Sequence, residues 1–489
     1  MVLIRAKNLS RQNNAALRLG AAVALILCLS AAAAGQAQPA TRPSSIDSMR
    51  SQVATLEAKV ASLQTRQEVS QADISKAVDA ILADADAHSA GIYAQQYPSG
   101  YDPATGFIVQ SADGNFSLHP DLMGQFRYQT AYRLHVPPGG GGAAGGTGDD
   151  TKTGFELARL RLSFDGDFVS PLLTYYFQMA DDNSAGAGGA VSLLDAYVMW
   201  RVSAQSPLAL KAGQFKDPVW HEANLLPSRL MAVDRSLVNA FLGGGQDDRV
   251  EGAAVVYDQS DLRGQLLFHN GYNSANNPFF ARGGLGAEVG AGAGLAPTNW
   301  GTSGRAELLA LGQRQPEFDP FSEYDQFTAM GDKQDILVLG SGFDYSESQA
   351  DKILFYTADA QFNTTNGWSL YAAYLAAYRN LYTNHGAGHG SFNDSGFLVQ
   401  AAYMVGPRLE PFARYDYTHL DGKALPGIPN LNINEITIGA NYYLYGQRAK
   451  FTLDASWLPN GSPADVNFLG VLQDDRQEFL LRAQFQFEI

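Results

Sequence analysis

Arginine and lysine recur at alternate positions in several segments, each time opposite an apolar row. In 122–134, Met123, Gln125, Arg127, Gln129, Ala131 and Arg133 share one face, against Leu122, Gly124, Phe126, Tyr128, Thr130, Tyr132 and Leu134. In 156–165, Arg159, Arg161, Ser163 and Asp165 oppose Ala158, Leu160, Leu162 and Phe164. Segments 191–202, 409–419, 432–445, 448–457 and 479–489 follow the same rule. Over these seven segments the polar faces carry the basic groups Arg127, Arg133, Arg159, Arg161, Arg201, Arg414, Arg448, Lys450 and Arg482. The acidic groups are Asp165, Asp195, Glu410, Asp416, Glu435, Asp454 and Glu488. Fixed cations facing water can replace part of an anion's hydration, and a ring of near-balanced charge gives only a weak ion preference. Arg127, Arg159 and Arg161 are the candidates for such an anion path.

Other chemistry finds little support. The glycine-rich stretches 137–154 and 283–296 lack a GK[ST] ending or a strand-to-helix setting, so neither reads as a phosphate cradle. His385 and His389 stand four apart in a Gly-rich loop without carboxylate support, which is poor metal-site chemistry. His269 with Asn270, and His419, lie near strand ends, but no G-x-S-x-G elbow accompanies them. No catalytic residue, cofactor or metal is expected. The single cysteine, Cys28, lies in the N-terminal segment and is preceded by Leu27, which does not suit a lipidation site.

The elements that carry the charged faces have a period of two. Candidate strands fall at about 116–135, 155–168, 172–180, 191–202, 208–215, 250–258, 261–270, 300–310, 335–346, 352–363, 368–379, 396–405, 409–420, 432–445, 448–458 and 477–489. Many run ten residues or more, longer than the usual five or six of a soluble sandwich. Their apolar faces are clean, as lipid requires, since Lys or Arg at mid-bilayer costs roughly 2–4 kcal/mol. Connections tend to alternate short and long. The fold class is therefore all-β: a transmembrane antiparallel β-barrel of about sixteen strands. Two connections break the rhythm, 311–334 being long where a short turn is due and 347–351 short where a loop is due.

Upstream, Arg5, Lys7, Arg11 and Arg18 precede the apolar stretch Leu19–Ala34, and cleavage near Ala34 or after Ala37 fits a secretory signal peptide, 1–37. Its loss would take the net charge from −15 to about −19. From Ile46, apolar positions step by three and four through Met49, Val53, Leu56, Val60, Leu63, Ile74, Ala77 and Ile81, with Gln67 and Ser70 as a weak layer. This predicts an α-helical coiled coil over 46–82 rather than a single helix lying on the barrel. A linker, 83–106, leads to the barrel at 107–489. The acidic balance, 49 Asp and Glu against 34 Lys and Arg, argues against a nucleic-acid partner. At 489 residues the chain is too short for a plug and the twenty-two strands of a large transporter.

The stretch KAGQFKDPVWHEANLLPSRLMAVDRSLVNAF (211–241) resembles a segment of the phosphate-selective porins O and P, with its GQFK-x-P and later R-[SA]-L-x-N-A-F. GFIVQSADGNFSLHPDLMGQFRY (106–128), ARLRLSFDG (158–166) and DAYVMW (195–200) follow that family in the same order. The resemblance covers about 107–489, strongly over 107–260 and faintly beyond. It implies a sixteen-stranded outer-membrane porin that assembles as a trimer, with the connection Lys216–Arg249 folded inward to narrow the pore. Lys216, Arg229, Arg235 and Arg249 are then candidates for the constriction. Pro218 suits a strand-end corner instead. The mixed charges of the polar faces depart from the dense basic lining of that family, so a mild anion preference is expected in place of phosphate specificity. The C-terminal Ile489 departs from the usual terminal Phe and reads as a variant assembly signal. The resulting expectation is a passive outer-membrane channel for small hydrophilic solutes or ions, in contact with lipid and not an enzyme. A structural barrel whose coiled coil tethers a periplasmic or cell-wall partner, and a barrel enzyme, are the alternatives.

Overall fold

Period-two alternation closes on itself here. The computed structural model describes residues 51, 53–55, 100–102, 106–133, 151–182, 191–242, 249–272, 274–275, 299–315, 317–348, 352–381, 390–421, 431–463, 466, 469–472 and 476–489. The signal peptide and the loop holding His385 and His389 lie outside these residues. So does the predicted coiled coil, apart from 51 and 53–55, which are helical.

Two short strands, β1 (Gly100–Asp102) and β2 (Gly106–Gln110), precede the barrel. The wall begins with β3 (Ser117–Arg133), β4 (Thr151–Phe168), β5 (Ser170–Asp182), β6 (Ser192–Arg201), β7 (Leu208–Lys216) and β8 (Arg249–Asp258). It continues through β9 (Leu262–His269), β10 (Trp300–Leu311), β11 (Ile336–Glu347), β12 (Lys352–Asn363), β13 (Trp368–Leu381) and β14 (Gly390–Tyr403). The last four are β15 (Leu409–His419), β16 (Asn432–Tyr445), β17 (Ala449–Leu458) and β18 (Glu478–Glu488). Each pairs antiparallel with the next, and β18 pairs with β3, so β3–β18 form a closed sixteen-stranded barrel without a free edge. Leu122 and Ile489 exchange backbone hydrogen bonds of 3.1 and 3.0 Å at the seam.

The outer surface is the apolar row of each strand. Phe126, Phe155, Leu266, Phe268, Ile438 and Leu453 are all exposed, as a lipid-facing surface requires. The rings of Trp457 and Phe479 stack across β17 and β18 with centroids 6.0 Å apart. Such cross-strand contacts stabilise pairing on the pleated face.

Three expectations need correction. Part of the predicted linker 83–106 is strand, because Gly100–Asp102 pairs with Gly106–Ile108. Strand β14 begins at Gly390, six residues before the expected 396. Ala158 does not continue the lipid row of β4: the register shifts between Gln125 and Phe126, so Ala158 is the extra residue of a bulge and is buried. The bulge turns Glu156 and Arg159 to the interior together while Phe155 and Leu157 stay outside.

Among the described residues, three short helices interrupt the barrel's connections: α1 (His221–Asn224), α2 (Leu237–Leu242) and α3 (Pro320–Tyr324), with a 3₁₀ turn at Pro227–Arg229. All belong to two segments that enter the barrel. Residues 217–242 leave the long-loop end after β7. Residues 312–335 leave the short-turn end between β10 and β11. Apolar residues of the first segment, among them Trp220, Leu230, Met231, Leu237, Val238 and Phe241, share a buried cluster with Ile353, Phe355, Tyr371, Leu375 and Leu398 of β12–β14.

Candidate functional site: the barrel interior

The loop after β7 carries its own internal hydrogen bonds as well as contacts to the wall. Ser236 caps α2, its Oγ accepting from the Asn239 amide at 3.2 Å, three residues on. Glu222 of α1 ties the two helices together, accepting from the Ser236 amide (3.0 Å) and hydroxyl (2.6 Å). The chain then crosses the lumen along a row of polar wall side chains. Gln125 donates to the Pro227 carbonyl (3.2 Å), Gln486 to Ser228 (3.2 Å), Lys450 to Leu230 (2.9 Å), Asn441 to Met231 (3.0 Å) and Arg414 to Asp234 (2.8 Å). On the opposite wall, Thr357 donates to the Val219 carbonyl at 2.6 Å. That close approach needs Gly342, where a Cβ would stand 2.4 Å from the Val219 oxygen. The inward loop implied by the family resemblance is thus present, and the wall residues satisfy its buried carbonyls.

Asp234 is the anchor of this segment. It is buried and receives Arg127 in a short ion pair and Arg159 at 2.5 Å, with Arg482 3.7 Å away. Burial alone would raise its carboxyl, but Arg127, Arg159 and Arg482 together hold it well below the usual carboxylate range. Arg127 also meets Glu156 at 2.8 Å, and Arg482 meets Asp454 at 2.7 Å.

The seven sequence-predicted residues therefore occupy different settings. Arg127 and Arg159 converge on Asp234, and Arg161 is buried close by on β4. Lys216 donates to the carbonyls of Ala223, Asn224 and Leu225 at 2.9, 3.1 and 2.9 Å, a cation on the C-terminus of α1. Arg235 serves the same turn, donating to the carbonyls of Glu222 (2.9 Å), Ala223 (3.1 Å) and Leu225 (2.7 Å). Arg249 holds Asp195 through two contacts of 3.0 and 2.7 Å, and Arg229 reaches Glu488 at 3.0 Å.

The second inward segment has a different chemistry. Asp319 caps α3 by accepting from the Phe321 amide at 3.1 Å. Phe318, Phe321 and Tyr324 are buried with Leu309, Ile336 and Val338. Arg305 donates to the Tyr324 hydroxyl at 2.7 Å, and that hydroxyl makes a short hydrogen bond to Asp359. The two segments meet in the interior. The His221 ring stacks on Tyr324 with centroids 3.8 Å apart, His221 Nε2 lies 3.1 Å from the Tyr324 carbonyl, and the Phe327 amide donates to the Arg229 carbonyl at 3.1 Å. Burial pushes the His221 imidazole below its ordinary value. The connection 311–334, long where a short turn is due, is therefore an inward-folded segment.

Among the described residues, a cavity of about 470 Å³ remains between these segments and the wall of β5–β10. Of the seven predicted residues, Lys216 alone lines it. The other cations on it are Lys211, Arg263 and Arg305, and the acids are Asp195, Asp258, Glu307 and Asp325. Each acid already has an arginine: Asp195 with Arg249, Asp258 with Arg314 at 2.6 Å, Asp325 with Arg263 at 2.5 Å, and Glu307 with Arg305 at 2.6 Å. The two lysines have no carboxylate partner among the described residues. Sequence reading missed Lys211, and the only signal for it is its inward position in LALKAGQF (208–215), two residues before Gly213. No group of three or more His, Cys, Asp or Glu among the described residues could hold a metal.

No family model matches the chain, and no curated protein does either. Among solved structures, the barrel is similar to the anion-selective porin from Comamonas acidovorans. The TM-score is 0.50 at 12% identity, covering 76% of this chain and 100% of that one. OmpF of Salmonella typhi in complex with daunomycin aligns at TM-score 0.46 and 13% identity, over 76% of this chain and 98% of that one. The outer membrane channel DcaP of Acinetobacter baumannii aligns at 0.45 and 12%, over 76% and 97%. At such identities the likeness is one of fold: a closed antiparallel porin-type barrel.

Proposed function

We propose that this protein is an outer-membrane porin, a passive channel through which small hydrophilic solutes and ions move down their gradients. The observation that carries the reading is a closed barrel with a lipid-suited exterior and a charge-lined cavity left beside an infolded loop. A mild preference for anions rests on Lys211, the cavity cation with no carboxylate partner or backbone acceptor among the described residues. It does not rest on Lys216, whose donors go to three carbonyls, or on the arginines bound to Asp234. Membership of the phosphate-selective porin O and P family, a cleaved signal peptide, a coiled coil over 46–82 with a periplasmic or cell-wall partner, and a homotrimer complete the proposal. The sequence motifs and the heptad stretch support these parts.

Planar-bilayer recording tests the reading. Stepwise conductance is expected from the purified protein, with a reversal potential on the anion side under a KCl gradient and little block by phosphate. A folded, heat-modifiable barrel with no conductance would sink the channel and leave the tether. Deleting 46–82 should leave the oligomer intact if the barrel assembles by itself.

A further inference from the structure

We propose that the inner faces of β5–β7 form a binding subsite for organic anions that join one carboxylate to a flat apolar body. This rests on the porin reading and names a solute class for the same cavity. Three rings cross the wall in a row. Tyr176 and Tyr197 stack with centroids 5.5 Å apart, and Tyr197 meets Phe215 edge-on at 6.0 Å. The register explains the row: Tyr176 pairs with Tyr197, and Tyr197 pairs with Gly213. A Cβ at Gly213 would lie 2.2 Å from the Ala196 carbonyl oxygen and 2.9 Å from the Tyr197 Cβ. With no side chain there, the Tyr197 ring fills the gap between Lys211 and Phe215.

Lys211 Nζ sits 4.1 Å from the centroids of both Tyr197 and Phe215. Among the described residues it has no hydrogen-bond acceptor and no ion pair, although it is half-buried. The nearest carboxylate along β6, Asp195, is held by Arg249. A half-buried ammonium resting on ring faces keeps donors to offer, and a ligand carboxylate is the acceptor that matches them. Beside it, Met199 and Val256 extend the apolar lining, which suits a ring more than a small hydrated ion.

Benzoate is the probe, with acetate as the ion lacking the ring. Chloride current through single channels is recorded while each is titrated in, and benzoate is expected to block at about tenfold lower concentration than acetate. Lys211→Met should raise the benzoate concentration needed about tenfold, Tyr197→Leu should raise it several-fold, and Lys211→Arg should keep the block. Lys352→Met, a charge removed at the exposed start of β12 and outside the cavity, should change nothing. Equal block by both ions, or an unchanged benzoate block in Lys211→Met, overturns the subsite while leaving the porin. If the folded wild type conducts nothing, the channel reading fails. Calorimetric titration of benzoate into the detergent-solubilised protein then decides the subsite. Saturable heat lost in Lys211→Met keeps it, and absence of heat in the wild type removes it.

Discussion

Two segments enter the barrel from opposite ends, and both combine apolar packing with polar contacts. The group at the centre of each differs: a buried carboxylate in one, a buried ring in the other. The segment 217–242 lays its apolar residues on β12–β14 and is anchored by charge: Asp234 under Arg127 and Arg159, and Lys216 and Arg235 on the carbonyls around α1. The segment 312–335 is fixed by rings: Phe318, Phe321 and Tyr324 buried together, with Arg263 over the Phe321 ring at 4.7 Å. The comparison shows how a wide barrel is narrowed. Facing a charged wall, a segment needs an anion to neutralise the arginines it covers. Facing an apolar pocket, it is centred on rings, with Arg263 on Asp325 and Arg305 on the Tyr324 hydroxyl at the pocket's edge.

Breaking the anchor of the first segment should have the largest effect. Asp234→Ala leaves Arg127, Arg159 and Arg482 buried without their shared acceptor, and removing one partner of a buried pair costs about 3–5 kcal/mol. The loop should leave the lumen, raising single-channel conductance and lowering the temperature of the heat-modifiable gel shift. Unchanged conductance would mean that the carbonyl contacts alone seat the loop. Phe321→Ala comes next, at about 3 kcal/mol for a fully buried ring. It should loosen 312–335 and widen the cavity from the short-turn end, seen as faster proteolysis in that segment with the Asp234 loop still protected. If both segments open together, the His221–Tyr324 stack couples them and the contrast between their anchors loses its meaning.

Much of this was readable in the chain. Sixteen strands follow from period-two rows such as Phe126, Tyr128 and Tyr132, because lipid tolerates no exception on the outer face. The interior was less legible, for a physical reason. Arg127 and Arg159 look like pore arginines when only their strand faces are known, and their partner Asp234 lies on a distant loop flanked by apolar residues. The inner wall of β13 was also obscure. In LYAAYLAAY (370–378) both faces are apolar, since one meets lipid and the other meets the infolded loop, so alternation vanishes. The segment 312–335 was visible only as a break in the rhythm of turn lengths.

The two segments should also respond to pH in opposite directions. Asp234 has a depressed carboxyl, so its contribution is present above the ordinary carboxylate range and is lost only as pH falls through its low folded value. Asp332, on the second segment, is pushed up to about 8 by burial and by Glu323 beside it. Its folded value lies above the unfolded one, so its contribution is full below the unfolded value near 3.8 and is lost as pH rises through about 8. Amide exchange in 312–335 should accelerate between pH 5 and pH 9, beyond the intrinsic dependence, while 217–242 stays protected. Asp332→Asn should remove the difference; acceleration in both segments would tie them to a common opening.

The smallest effect is expected at the rim, where charge is present without burial. Arg314 bridges Asp258 at 2.6 Å and Asp319 at 2.9 Å and lies over the Phe321 ring at 4.8 Å. Asp258 and Asp319 are more than 40% exposed at their side chains, so water screens both pairs. Arg314→Ala should therefore cost under about 1 kcal/mol and leave conductance within its normal spread. A loss as large as that of Phe321→Ala would mean that charge, and not ring packing, seats the second segment. The Arg314→Met variant separates the two: it keeps an unbranched apolar stem near Phe321 and removes the charge, so wild-type behaviour there assigns the contribution to packing.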